Sequence, residues 1–447
     1  MKKLIETIKN IWKIEDLRSR LLTTLLFVMI YRFGSYVVLP GIDPNALSAL
    51  KAQTSGGLLA LLDMFSGGAF ANASVFALGI MPYISASIVI QLLTIAVPYF
   101  QKMQREGESG RRKMNQFTRY LTVGILLLQG PSYLVNLSVQ LAQAGSAVPS
   151  GFLFTITSTL ILCGGSMFVM WLGERITDKG IGNGISFIIL VGIISRFPGA
   201  LIKEFASRLG DAGGGLIMFL FELILLLVVI AASIMLVQGT RKIPVQYAKR
   251  VVGNKQYGGV RQYIPLKINA AGVMPIIFAQ AIMFIPVTLA GFANSESMSG
   301  FIGAFMNNTG VWYNLVFGLL IVVFTYFYTA ITINPTQMAE EMKRNNGFIP
   351  GIKPGKRTAE YLDLIMSRIT LPGSLFLALI AVMPAFAQLL GLNQEFASFF
   401  GGTSLLILVG VVLDTLQQIE SHLLMRHYDG LLKSGRIKGR TGGAAAY

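Results

Sequence analysis

The sequence predicts an all-α integral membrane protein of ten transmembrane helices, and three observations lead there. Of its 447 residues, 53% are hydrophobic and 13% charged, and the mean hydropathy is +0.62, a balance that would keep a globule of this size out of solution. Ten mostly apolar stretches reach the roughly 20 residues that a helix needs to cross a bilayer. Between them, most of the basic residues gather on one side.

The chain opens with a surface element. Leu4, Ile8 and Ile11 share one helical face while Lys2, Lys9 and Lys13 share the other, so residues 1–20 read as an amphipathic helix on the membrane surface. The predicted spans follow at about 21–40, 73–98, 119–141, 152–172, 181–203, 214–238, 270–293, 311–333, 370–391 and 403–424, the fifth weakened by Arg196 and Lys203 near its end. Of the 37 Lys and Arg, all but Arg32, Lys51, Arg196, Lys203 and Arg208 fall on the N-terminal side. By the positive-inside rule both termini are cytoplasmic.

The net charge of +16 suggests anionic lipid or acidic partners, with ribosomal RNA as an alternative. Two cytoplasmic loops, about 239–269 and 334–369, are long, basic and rich in Gly and Pro. They suit docking surfaces, and they equally suit mere enforcement of topology. Cys163 is the only cysteine and lies in an apolar run, so no disulfide framework or thiolate cluster is expected. His422 and His427 lack a third ligand, so neither a metal nor a cofactor is expected.

An internal repeat divides the chain. Gly79-Ile80-Met81-Pro82-Tyr83-Ile84 in the second span recurs as Gly272-Val273-Met274-Pro275-Ile276-Ile277 in the seventh. An offset of five spans inverts one half against the other, the arrangement of transport folds with a path at the repeat interface. The halves are 21–212 and 213–425, followed by a cytoplasmic tail at 426–447. Before the second span, the short apolar segment Leu58 to Ser66 is flanked by glycine pairs at 56–57 and 67–68. A re-entrant plug and an external amphipathic helix both satisfy that pattern.

Ionisable residues within spans are few: Arg32, Glu222, Asp414 and Glu420. Glu222 and Glu420 fall where span ends would leave them solvated, and no acid or histidine chain threads the core as a proton-coupled carrier requires. What recurs instead is β-branched apolar spacing: Ile80 and Ile84 in the second span, Ile185 and Ile189 in the fifth. A ring of such residues blocks ions by dewetting yet deforms around a passing chain, although such stripes more often simply pack.

Long ordered motifs carry a resemblance along almost the whole chain: LGIMPYISASIVIQLL from Leu78 to Leu93, GESGRRKMNQFTRYL from Gly107 to Leu121, WLGERITDKGIGNGIS from Trp171 to Ser186, PLKINAAGVMPIIFA from Pro265 to Ala279, then Tyr326 to Arg357 and Phe400 to Asp414. With these the chain resembles the SecY family, the channel subunit of the bacterial protein-export translocon. The resemblance implies ten helices in two inverted five-helix halves around a central hourglass pore, with a short re-entrant plug helix at about 57–68. It implies a pore ring of Ile80, Ile84, Ile185, Ile189, Ile277 and Ile407. Plug residues would be Leu58, Leu59, Leu61, Leu62, Asp63, Phe65, Gly67 and Gly68, and Ser85, Gln91 and Ile285 would line a lateral gate toward lipid. Lys249, Arg250, Lys353, Lys356 and Arg357 would dock the SecA motor ATPase or the ribosome. The implied companions are the small membrane subunits SecE and SecG, signal sequences, unfolded substrate polypeptides and membrane lipid. At Lys353 relatives commonly carry arginine, and lysine lacks the planar fork that grips a carboxylate bidentately.

Overall fold

The structure, a computed structural model, describes residues 14–43, 63–143, 151–210, 215–247, 250–252, 255–257, 261–290 and 310–433, together with Trp12 and Leu47. Long helices stand where the apolar runs stand. In chain order they are α1 Glu15–Gly34, α2 Met81–Ala96, the short α3 Pro98–Arg105, α4 Glu108–Gln143, α5 Phe152–Lys179, α6 Gly184–Leu209 and α7 Gly215–Gln238. After a stranded insertion come α8 Met274–Ala290, α9 Val311–Thr332, the short α10 Pro335–Arg344, α11 Lys356–Leu389, the single turn α12 Gln394–Ala397 and α13 Gly402–Lys433. The ten predicted spans correspond to α1, α2, α4 to α9, α11 and α13.

Among the described residues seven helices are long and apolar enough to cross a membrane, or eight if α2 and α3, which meet at a 101° bend, form one span. Two further spans fall outside that count. α1 opens on Glu15, Asp16, Arg18 and Arg20, and α8 is described over the 17 residues Met274–Ala290. Leu128, Val135, Ile217, Leu227, Met235, Val311 and Leu319 lie exposed along these helices. Apolar surface of that extent belongs against lipid, so the chain is a multi-pass membrane protein.

The predicted second span, 73–98, begins eight residues too early. Residues 66–80 form consecutive turns and helix starts only at Met81, with Pro82 in its first turn. The apolar stretch at 73–80 is held as irregular backbone by the end of the first span: Leu39 N–H donates to Ala73 O at 2.9 Å and Val75 N–H to Val37 O at 2.9 Å. Backbone of this kind survives at membrane depth only where protein supplies such partners.

The repeat folds alike in both halves. Gly79 (φ +53°) and Gly272 (φ +63°) each take the left-handed conformation that a β-carbon opposes, two residues before a helix that starts at the following Met. Ile84 N–H then donates to Ile80 O at 3.1 Å, and Ile277 N–H to Val273 O at 3.3 Å. Val273 is thereby the counterpart of Ile80, and Ile277 that of Ile84.

Within the first half α5 packs on α1, α4 and α6, and α4 on α2; within the second α9 packs on α8 and α11, and α13 on α7 and α11. Between the halves α6 meets α13 and α7. Among the described residues α2 has no extended packing against α8 or α9, so the two halves are joined on one side and loosely apposed on the other.

Outside the helices lies a feature that composition did not reveal. The strands β1 Thr240–Tyr247, β4 Arg261–Lys267 and β5 Gly347–Phe348 form one antiparallel sheet in the order β4-β1-β5, and β2 Arg250–Val252 pairs with β3 Lys255–Tyr257 as a hairpin. Ile243, Val245 and Leu266 from the sheet pack with Met342, Ile349, Leu362 and Met366. The two basic loops are therefore one body, stapled by its own small core.

Candidate pore and plug

The six predicted ring isoleucines come together in one apolar cluster. Ile80, Ile189 and Ile407 are buried in it, and Ile84, Ile185, Ile277 and Val273 pack against it half-buried. They descend from α2, α6, α8 and α13, which are the second and fifth spans of one half and the second and fifth of the other. The inverted repeat thus brings equivalent residues into one cluster. Val273 went unread as a member, although aligning the two six-residue motifs sets it opposite Ile80.

The segment before α2 joins that cluster. Met64 and Phe65 are buried members of it, each such side chain contributing about 2 kcal/mol of apolar burial. Asp63 to Phe65 form the end of a helix and residues 66–73 turn back. Of the predicted plug residues, Asp63, Phe65, Gly67 and Gly68 are placed here, while Leu58, Leu59, Leu61 and Leu62 lie outside the described residues.

The plug segment is held by polar contacts that sequence distance concealed. Tyr31 Oη donates to Ser66 O at 2.9 Å and Arg32 Nη1 to Gly67 O at 2.8 Å. Asp63 Oδ1 accepts the Ala71 N–H at 2.7 Å, and its Oδ2 forms an ion pair with Arg196 of α6. Gly67 sits against Gly192, and a β-carbon on Gly67 would lie 2.9 Å from the Gly192 Cα. Arg196 does not weaken the fifth span: α6 runs through it, and its charge is met by the plug.

Beyond the plug lies a cavity of about 370 Å³ at the face where α1, α6 and α11 end and α9 and α13 begin. Met64, Gly67, Gly68 and Ala71 line it together with Arg32, Arg196, Lys203, Gln280, Asn314 and Glu395. The segment before α2 thus contributes both to the apolar cluster, through Met64 and Phe65, and to the polar cavity, through Met64, Gly67 and Gly68.

A second buried charge cluster ties the halves at the same face. Arg208 pairs with Glu204 at 2.9 Å and with Glu222 at 2.6 Å, and Glu204 Oε2 accepts the Asn393 N–H at 2.9 Å. Glu222 is 1% exposed, so the expectation of a solvated carboxylate fails: the end of α6 folds over it and supplies its counter-charge. Asp414 and Glu420 are exposed. At the opposite face Gln418 Oε1 accepts the Gly182 N–H at 2.8 Å, a further tie between halves.

The predicted gate residues are partly placed. Ser85 and Gln91 lie half-buried on α2, and Gln91 Nε2 reaches Ser87 Oγ at 3.5 Å while its Oε1 is buried without a partner. The Ile285 side chain lies outside the described residues. Beside the stapled sheet Lys353, Lys356 and Arg357 are exposed at the start of α11. Lys249 and the Arg250 side chain are outside the described set.

A multi-helix bundle built from an inverted repeat, with isoleucines of both halves in one apolar cluster beside a polar cavity, places the chain among α-helical membrane proteins of inverted-repeat architecture. The sequence profile of the SecY family matches residues 74–416. Curated relatives include the protein translocase subunits SecY of Streptomyces scabiei, 45% identical over 94% of this chain and 98% of the relative, and of Mycobacterium bovis, 43% identical over 94% and 97%. The chain belongs to the SecY family. Solved structures share the fold: a protein conducting channel, with TM-score 0.60 at 16% identity over 90% of this chain and 92% of the other, and Sec61 in the canine ribosome-channel complex, with TM-score 0.56 at 16% identity over the same shares.

Proposed function

We propose that this chain is the protein-conducting channel of a Sec translocon in the bacterial cytoplasmic membrane, with both termini cytoplasmic. It passes unfolded polypeptides outward and releases apolar segments sideways into lipid. The observation that carries this reading is the meeting of six isoleucines, from two repeat-related pairs of helices, against a plug.

An apolar constriction suits a polypeptide conduit. An ion entering it loses hydration with no compensating ligand, whereas an unfolded chain presents mixed side chains around which isoleucines can shift. Displacing the plug into the outer cavity opens the axis. Lateral release follows from the loose apposition of α2 with α8 and α9, where Ser85, Gln91 and Ile285 are the gate residues of this reading.

The chain itself makes and breaks no covalent bond. Work comes from a bound motor of the SecA kind, from the ribosome or from the proton-motive force. The stapled cytoplasmic body bearing Lys249, Arg250, Lys353, Lys356 and Arg357 is its docking surface, contact with ribosomal RNA included, and small subunits of the SecE and SecG kind brace the halves. The ribosome-bound Sec61 relative supports such docking. In this reading residues 1–20 and 426–447 are cytoplasmic, and 21–212 and 213–425 are the two moving halves.

A photocrosslinking residue placed at Ile84 or Ile407 should capture a polypeptide arrested during export. Capture only from lipid-facing positions such as Leu128, with none from the ring, would overturn the conduit.

A further inference from the structure

We infer that Arg32 and Arg196 are positioning residues for the plug, forming with Asp63 a two-point latch that sets how often the channel leaks when idle. The inference rests on the plug reading above and adds the residues that hold the plug shut, which neither the motif nor the apolar cluster supplies.

Arg196 lies midway along α6 and Arg32 near the end of α1, positions where a charge facing lipid is costly. Both instead face the outer cavity and reach the plug from different helices. Arg196 takes the Asp63 carboxylate, which is 1% exposed, and Arg32 takes the Gly67 carbonyl four residues on. Arg32 is itself fixed, its Nη2 donating to Tyr36 Oη at 3.2 Å with the guanidinium over the Tyr36 ring. Lys203, about two turns further along α6, is not available to Asp63 because Glu395 occupies it at 2.7 Å.

The pair is wet on one side only. Asp63 is enclosed, whereas the Arg196 side chain retains 32% of its exposure toward the cavity. A fully enclosed pair would resist separation strongly; one whose partners both rehydrate in the adjoining cavity resists moderately. The latch therefore biases the plug toward its seat and still releases it when a chain pushes through. Met64 and Phe65 supply apolar adhesion without direction, and the ion pair and the Gly67 carbonyl fix the register in which they fit.

Asp63→Asn is the sharpest variant, because its amide oxygen keeps the bond from Ala71 N–H while the charge is lost. In proteoliposomes of the purified translocase complex, Asp63→Asn and Arg196→Gln should each raise idle ion leak about tenfold, equal to about 1.4 kcal/mol of plug seating. The double variant should leak no more than either single one, since both remove one interaction, and Arg196→Lys should recover most of the seal. In a Cys163→Ala background, Ser66→Cys should react faster with maleimide once Asp63→Asn is added. Deleting residues 57–68 separates the readings. If the deletion leaks while the single variants stay tight, or if they leak with unchanged Ser66→Cys labelling, the latch is wrong and the plug stands. If the deletion does not leak, the plug reading itself is wrong.

Discussion

The two copies of the Gly-x-Met-Pro motif share a conformation and differ in what precedes them. In the first half the chain before Gly79 contributes Met64 and Phe65 to the apolar cluster and is held by Arg32 and Arg196. In the second half the chain before Gly272 comes from strand β4 of the sheet, and among the described residues Asn269 Nδ2, donating to Gly272 O at 3.1 Å, braces the turn. Equivalent connections thus carry different inserts. In the proposed reading the first is the channel's stopper and the second its docking handle.

The junction between the halves tests that comparison most severely. Glu222→Leu removes the second-half member of the Arg208 cluster, and the protein should lose about 3 kcal/mol, toward the lower end for a broken buried pair because Glu204 still holds Arg208. Thermal unfolding in detergent measures it, and a change below about 0.5 kcal/mol would show that the halves are not joined there.

Valine at Gly79 and at Gly272 comes next. Each should cost about 1–2 kcal/mol from the left-handed backbone alone. A β-carbon at Gly79 also lies 3.5 Å from the Ser66 side chain, so valine's branches press on the plug, whereas at Gly272 nothing lies within 4 Å. Both variants should unfold earlier, and only Gly79→Val should leak ions.

A smaller effect is expected at the ring. Ile80→Asn and Val273→Asn should raise idle conductance by similar factors, about tenfold, because the repeat makes them counterparts in one cluster; a leak from Ile80→Asn alone would remove Val273 from the ring. The smallest change is Lys353→Arg, within about 0.5 kcal/mol of docking energy for an exposed charge. Glutamate at Lys353, Lys356 and Arg357 together should weaken co-purification with the motor or ribosome, and intact binding would argue for topology enforcement alone.

Much of this fold was legible because bilayer length disciplines apolar runs, so ten helices fall near ten predicted spans. The start of the second was not, since residues 73–80 are as apolar as a helix but their backbone is bonded to residues 37 and 39. The isoleucines that meet in the cluster were legible as spacing at the start of α2 and on α6, while Val273 hid behind a substitution of valine for isoleucine. The charge partners were not legible, because Asp63 and Arg196 stand 133 residues apart and nothing local to either names the other. The sheet escaped because its strands are short: among the described residues only β1 and β4 run beyond three residues.

The central claim is that isoleucines from both halves seal the path against ions while the plug rests on them. Planar-bilayer conductance of the purified complex with Ile80, Ile84, Ile189 and Ile277 all changed to glycine tests it directly. The account predicts a standing ion current in the idle channel well above that of the unaltered protein; conductance indistinguishable from it would contradict the account.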